Sequence, residues 1–356
     1  MSDIDFSTQR RQLGNSELRV SPICIGTMTW GAQVDEAGAH AQMDFAVERG
    51  INFFDTAELY AIPRGAGSVG ATESIIGRWL ASRGGRERVI IATKVVGKGR
   101  GLDYIRGGEA RLDRTNITAA LDASLQRLRT DYVDLYQLHW PDRSVPMFGG
   151  FGYVHDADER ITPFAETLGV LQELMRAGKI RAIGVSNETP WGLMSCLHLH
   201  AAAGLPRVQA VQNIYNLLAR TDDVGMTEIY HRENVGLLGY SPLAFGVLSG
   251  KYHDPMLAPA ENARLRQYRG MFPRFETPQS HAAVQRYRAL ASHCGLSLVQ
   301  LALAFVYHRP FMASTIIGAS GIEQLRENID AWSVRLDAET LAAIERIHRD
   351  HPNPCP

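Results

Sequence analysis

The sequence predicts a closed (β/α)8 barrel, an α/β fold in which each of eight parallel strands is followed by a helix. Three observations carry that expectation. Eight short apolar runs recur along the chain, and helical spacing follows each of them. Such alternation implies parallel strands joined by right-handed crossovers. The turn after the first run reads Gly26-Thr27-Met28-Thr29-Trp30-Gly31, which is no GxGxxG, and no P-loop motif occurs elsewhere. A doubly wound open sheet, the rival arrangement, would usually place a glycine-rich turn there.

The elements follow in order. Residues 10–22 read as a small hairpin turning at Gly14-Asn15. Ile23 to Met28 is the first buried strand. Residues 35–50 have helical spacing, with Ala41, Phe45, Ala46 and Val47 on one face and Gly50 as the stop. Asn52 to Ala57 is the second strand and Gly70 to Ser82 its helix. Val89 to Val95 is the third, followed by a helix opened by Thr115-Asn116. Val133 to His139 is the fourth, with a helix from Thr162 to Lys179. Ile180 to Asn187 is the fifth. Its helix starts at Thr189-Pro190, with proline in the first turn, and ends at Gly204. Residues 208–214 form the sixth, with a helix from Asp222 to Asn234. Val235 to Ser241 is the seventh, and a long irregular loop spans 244–280. Two extra helices, near 281–293 and 297–308, precede the eighth strand, Thr315 to Ala319. A helix from Gly321 to Trp332 and a final one from Asp337 to Arg349 end the chain.

Composition bounds the function. The chain has 356 residues, 45% hydrophobic and 21% charged, an ordinary globular balance. One barrel domain over 1–356 accommodates it. Its net charge of −1 offers no field to draw nucleic acid or an anionic membrane. No apolar stretch approaches the roughly 20 residues that span a bilayer. The polar start, MSDIDFSTQRRQLG, has no hydrophobic segment for a secretory signal. Cys24, Cys196, Cys294 and Cys355 are scattered without a CxxC pair, so neither a disulfide framework nor a structural metal is expected. The expected location is the reducing cytoplasm.

In such barrels the chemistry sits at the C-terminal strand ends. Those ends carry Met28 and Trp30, Asp55 with Tyr60, Lys94, His139-Trp140, Ser186-Asn187, Gln212 with Asn213, Tyr240-Ser241, and Gly318 to Ser320. Each has a structural explanation alone; Asp55 could cap a loop and Lys94 could snorkel. Together they suggest a mechanism. A buried lysine needs a counter-charge, and Asp55 supplies one. The cation should lower the Tyr60 pKa toward the working range and make the phenol a general acid or base. A neutral His139 can donate to a carbonyl oxygen that gains charge. That set suits carbonyl reduction, for which a nicotinamide cofactor supplies the hydride. Ser186, Asn187 and Gln212 suit a carboxamide, and Tyr240 offers a flat ring face. The small-residue turn Gly318-Ala319-Ser320-Gly321 before a helix suits a phosphate. Lys251 and Arg264 could close over a pyrophosphate or a 2′-phosphate. Trp30, Trp140, Tyr60 and His139 are expected around the substrate, with loop residues Met147, Phe148, Phe151, Tyr153, Phe272 and Phe275 as further wall. An apolar or aromatic aldehyde or ketone fits that wall.

The stretches GTMTWG (26–31), INFFDTAELY (51–60), IIATKV (90–95), DLYQLHWP (134–141), GKIRAIGVSN (178–187), VQNIYN (211–216), GYSPLAFGVLSGKY (239–252) and IIGAS with QLRENI (316–329) make a specific set. In them the chain resembles the aldo-keto reductases over nearly its whole length. The nearest likeness is the bacterial Tas-type branch, which is also similar to the potassium-channel β subunits. The resemblance implies a catalytic tetrad at Asp55, Tyr60, Lys94 and His139, with Tyr60 as proton donor. It implies nicotinamide contacts at Ser186, Asn187, Gln212 and Tyr240, and further cofactor contacts at Gly26, Thr27, Met28 and Asp55. Phosphate and adenosine contacts fall on Ser241, Pro242, Leu243, Gly246, Lys251, Arg264, Gly318, Ser320, Gln324, Glu327 and Asn328. Gly318 and Gln324 stand where many members carry a lysine and an arginine for the 2′-phosphate. The channel-like branch shares that departure and is still associated with NADPH, so NADPH is expected over NADH. Two alternatives stay open: an NADPH-sensing regulatory subunit with little turnover, and a Schiff-base isomerase or lyase using Lys94. Asp55 counts against the latter, because it would keep Lys94 protonated.

Overall fold

A computed structural model describes residues 4–99, 101–252 and 263–356. The chain opens with an antiparallel hairpin, β1 (Arg11–Gln12) and β2 (Arg19–Val20). Its turn includes Gly14 at φ +57°, where a Cβ would meet the Gln209 carbonyl oxygen at 2.6 Å. Eight further strands follow: β3 (Ile23–Gly26), β4 (Phe53–Asp55), β5 (Ile90–Val95), β6 (Val133–Leu138), β7 (Ile180–Ser186), β8 (Val208–Gln212), β9 (Gly236–Tyr240) and β10 (Met312–Ile317). They form a closed parallel barrel in the order β10-β3-β4-β5-β6-β7-β8-β9. The fold is the expected (β/α)8 barrel with its N-terminal hairpin.

The helices lie outside. They are α1 (Glu36–Glu48), α2 (Ala71–Arg83), α3 (Arg114–Leu128), α4 (Phe164–Arg176), α5 (Pro190–Ala203), α6 (Asp222–Gly225) and α7 (Thr227–Arg232). After β9 come α8 (Arg264–Gln267), α9 (Pro278–His293), α10 (Leu298–Tyr307), α11 (Ile322–Asp330) and α12 (Ala338–Asp350). Local chemistry sets their starts. Asp35, Asp113, Thr189, Thr277, Ser297 and Asp337 each accept a backbone N–H of the first turn as N-cap. The α3 cap is Asp113, two residues ahead of the Thr115 start read from the sequence. The expected 222–234 helix is two short ones, and the last strand begins at Met312 rather than Thr315. The expected loop 244–280 includes α8 and two 3-10 turns, and its residues 253–262 lie outside the described residues.

Two apolar layers hold the barrel. Between strands and helices runs the larger one, through residues such as Phe54, Ile91, Tyr136, Ile183 and Val211. Inside the barrel, Cys24, Phe53, Ile90, Ala92, Leu135, Ala182, Ala210, Leu238, Ala313 and Ile316 pack with Leu13, Leu18 and Val20 of the hairpin. The hairpin therefore plugs the amino-terminal end, and only the opposite end is left open. Among the described residues no single helix is long and apolar enough to cross a membrane. Taken together α9 and α10 would be, but they meet at 94° and α10 is a buried core helix.

Candidate active site

Side chains alternate across each strand, so residues two apart share a face. The inward series on β4 is Phe53 then Asp55. On β5 it is Ile90, Ala92, Lys94; on β6 Leu135 then Gln137; on β8 Ala210 then Gln212. The apolar members form the packed interior and the last members form a polar layer above it. Parallel register sets Lys94 beside Gln137 and Gln137 beside Gly184. One period-two rule thus turns eight apolar runs into a barrel with a charged mouth.

Asp55 and Lys94 are the centre of that layer. The Lys94 ammonium donates to Asp55 Oδ2 at 2.7 Å and to the Thr56 carbonyl at 2.7 Å. Lys94 is 0% exposed and Asp55 3%. The other carboxylate oxygen, Oδ1, accepts from Gln212 Nε2 at 2.8 Å and from Gln137 Nε2 at 3.2 Å. The Lys94 ammonium also lies 4.8 Å from the Tyr60 ring centroid. Burial pulls the Lys94 pKa down, but Asp55 and Tyr60 outweigh it, and the ammonium stays charged well into alkali. The ring of His139 meets Tyr60 edge-on at 5.5 Å and lies 4.7 Å from Trp140. Burial first, and the Lys94 charge second, hold His139 well below its ordinary 6.5, so the imidazole is neutral. Its Nδ1 is buried without a hydrogen-bond partner.

One expectation is corrected here. Burial raises the Tyr60 phenol above its ordinary value, and Lys94 offsets only part of that. The phenol is therefore protonated at neutral pH. Desolvation of the anion outweighs the neighbouring cation, because that cation is already committed to Asp55.

A cavity of about 870 Å³ opens over this layer. All the expected cofactor residues line it: Gly26, Thr27, Met28 and Asp55 on one side, Ser186, Asn187, Gln212 and Tyr240 on the other, and Ser241, Pro242, Leu243 and Gly246 beyond. Lys251, Arg264, Gly318, Ser320, Gln324, Glu327 and Asn328 line its far end. Tyr60, His139 and Trp140 face it as well, while Lys94 sits behind Asp55. Trp30 does not reach it. That indole is fully buried against Gln42 Oε1 at 3.2 Å, so the expected substrate contact is instead core packing. Phe148 and Phe272 line the cavity, whereas Phe151 and Tyr153 point to solvent and Phe275 is buried.

The donor set fits a nicotinamide dinucleotide. Ser186, Asn187 and Tyr240 are held by one another: Tyr240 Oη donates to Asn187 Oδ1 at 2.7 Å, and Asn187 Nδ2 donates to Ser186 Oγ at 3.2 Å. Asn187 keeps this place with φ 53°, a left-handed conformation that asparagine tolerates. At the far end Lys251 and Arg264 are both partly desolvated. Burial lowers the pKa of each, and the charge of Arg264 lowers that of Lys251 further. An anion between them would relieve both penalties. The first turn of α11 lines the same cavity through Gln324, and its N-cap Gly321 has no side-chain cap.

Two site residues escape a reading by motif. Arg274 lines the cavity and stacks on Phe275, 4.8 Å from the ring centroid. Nothing in its irregular loop marks it. Gln137 does carry a signal: it is a lone amide inside the apolar run VDLYQL, on the inward face.

The fold and its mouth define an α/β barrel with a cavity over a polar layer at the carboxyl ends of its strands. The chain belongs to the aldo/keto reductase family, whose model matches residues 22–349. The chain is 45% identical over 349 residues to "Protein tas" of Escherichia coli, covering 98% of this chain and 100% of that one. It is 44% identical over 253 residues to an "Aldo-keto reductase" of Babesia bovis, covering 68% and 88%. It is 34% identical over 341 residues to the "Uncharacterized oxidoreductase YrpG" of Bacillus subtilis, covering 94% of each chain.

Proposed function

We propose that the chain, acting as one domain, is an NADPH-dependent reductase of aldehydes or ketones. The observation that carries this reading is the Lys94–Asp55 pair placed under a protonated Tyr60 at the floor of the cavity. A bound NADPH would supply the hydride. Tyr60 then delivers the proton to the carbonyl oxygen, and Lys94 steadies the phenolate left behind. Neutral His139 orients that oxygen by donating a hydrogen bond. Ser186, Asn187 and Gln212 would hold the carboxamide, with Tyr240 against the ring. Lys251, Arg264 and the α11 N-terminus would take the phosphates. The two desolvated cations suit a 2′-phosphate as well as the pyrophosphate that NADH and NADPH share. Trp140, Phe148 and Phe272 give the substrate end an aromatic wall.

The test is Tyr60→Phe with 4-nitrobenzaldehyde. We expect reduction to fall by about 10²–10⁴-fold, the usual worth of general acid catalysis, with NADPH affinity unchanged by fluorescence titration. A variant keeping most of its rate would remove Tyr60 as the donor. Tight NADPH binding with negligible turnover by the unmodified protein would favour a binding-only role.

A further inference from the structure

We propose that Gln137 is a positioning residue that holds the Asp55 carboxyl group against Lys94 while Gln212 serves the cavity. A carboxylate only accepts hydrogen bonds, so both glutamines must turn their NH2 ends to Asp55 Oδ1. The second Gln212 Nε2 proton falls on Gln137 Oε1 at 3.3 Å. Each amide thereby fixes the orientation of the other. The two differ in reach. Gln212 lines the cavity, whereas Gln137 is 0% exposed and does not line it. The barrel makes room for Gln137 at a cost in side chain next door. A Cβ on Gly184 would lie 3.2 Å from Gln137 Cγ and 3.1 Å from the Ala210 carbonyl oxygen.

This inference rests on the proposed nicotinamide site. If the Gln212 amide turns to a carboxamide, Asp55 Oδ1 loses its shorter bond, and the donor that remains is Gln137. Asp55 then keeps a donor on Oδ1 and its Oδ2 stays on Lys94, so Lys94 keeps the partner that holds it as an ammonium beneath Tyr60. The titratable groups facing Asp55 are few. Lys94 comes from β5, Tyr60 from the loop after β4, and Cys24 from β3; His139, after β6, stands beyond Lys94. Burial keeps the Cys24 thiol and the His139 imidazole neutral. The charge balance at the floor is therefore set by Asp55, Lys94 and Tyr60.

Gln137→Leu removes the amide at similar volume. Without Gln137 on Oδ1, the Asp55 carboxylate is held less firmly against Lys94. Lys94, less well countered, should lose its proton sooner, so the alkaline limb of kcat/KM should move down by about one pH unit, the usual worth of a hydrogen bond to a charged group. NADPH affinity should hold. A lower rate with an unmoved alkaline limb would mark a merely structural role and overturn the proposal, as would an unchanged profile. A second readout does not need turnover. In the free protein at one neutral pH, difference infrared spectroscopy, with Asp55→Asn to identify the band, should show the Asp55 carboxyl band displaced in Gln137→Leu; an unmoved band would overturn the proposal. If the unmodified chain reduces no carbonyl, the functional reading fails, and this spectrum still decides the role of Gln137. Should Gln137→Leu not fold, Gln137→Met takes its place; failure of both to fold would also overturn the proposal.

Discussion

Two buried aspartates at opposite ends of the barrel show what separates architecture from chemistry. Asp134, at the start of β6, is 1% exposed and accepts from Arg86 Nη2 at 2.7 Å, Arg181 Nη1 at 2.7 Å and the Ile91 backbone N–H at 2.9 Å. Asp55, at the end of β4, is as deeply buried and as fully hydrogen-bonded. The difference lies in the cations. Arg86 and Arg181 keep part of their surface in water, at 16% and 46% side-chain exposure, and tie strands together. Lys94 has no exposure, and its free side looks at a phenol on the wall of a cavity. A buried ion pair is weak evidence for stability in itself. What gives the Asp55 pair a use is the group on the far side of its cation.

Replacing one member of each pair should separate these roles. The largest effect is expected for Lys94→Met. Carbonyl reduction should fall by about 10²–10⁴-fold, because the Tyr60 phenolate loses its cation. Asp55 keeps its two amide donors, Gln212 and Gln137, so the fold should survive. Asp134→Ala should behave in the opposite way. It takes the carboxylate from two guanidinium groups and leaves the Ile91 N–H without its acceptor, and should cost about 3 kcal/mol in denaturant unfolding. That figure is at the low end for a broken buried pair, because both arginines retain water. Its kcat/KM should stay within about threefold, since distant sites act independently. An Asp134→Ala protein as inactive as Lys94→Met would end the distinction.

Much of this was legible in the chain. The eight strands could be read because each is an apolar run closed by a polar end, and the barrel followed from their number. The clustering of Asp55, Lys94 and His139 could be read because they fall on or beside those ends, with Tyr60 in the loop after β4. Other features depend on three-dimensional surroundings. Trp30 sits in a loop beside the mouth, yet packing turns it into the core. The direction of the Tyr60 shift depends on how much burial outweighs a cation, which spacing does not reveal. The helix expected over 222–234 has continuous helical spacing, but Gly225 and Met226 leave it as two pieces. Gln137 was visible as a polar residue in an apolar strand; its partners, 82 and 75 residues away, were not.

The smallest effect concerns His139, the mouth residue with an unpartnered nitrogen, and it tests whether that side chain is neutral in the fold. Burial and then Lys94 hold its pKa well below 6.5 in the folded state, while the unfolded chain titrates near 6.5. Above that value neither state binds the proton, and stability is complete. As pH falls below it, the unfolded chain takes up a proton that the folded protein refuses. Stability therefore drops, with a limiting slope of about 1.4 kcal/mol per pH unit for one group. His308 and His348 are also held low by burial, so the unmodified protein and His139→Asn share their contributions. The difference between the two proteins isolates His139. Denaturant midpoints compared at about pH 7.5 and about pH 5.5 should show His139→Asn losing less stability on acidification. Equal losses would mean that His139 is already charged in the fold. A charged imidazole beside Lys94 would place two cations at the carbonyl, and the orienting role given to a neutral ring would have to go to another group.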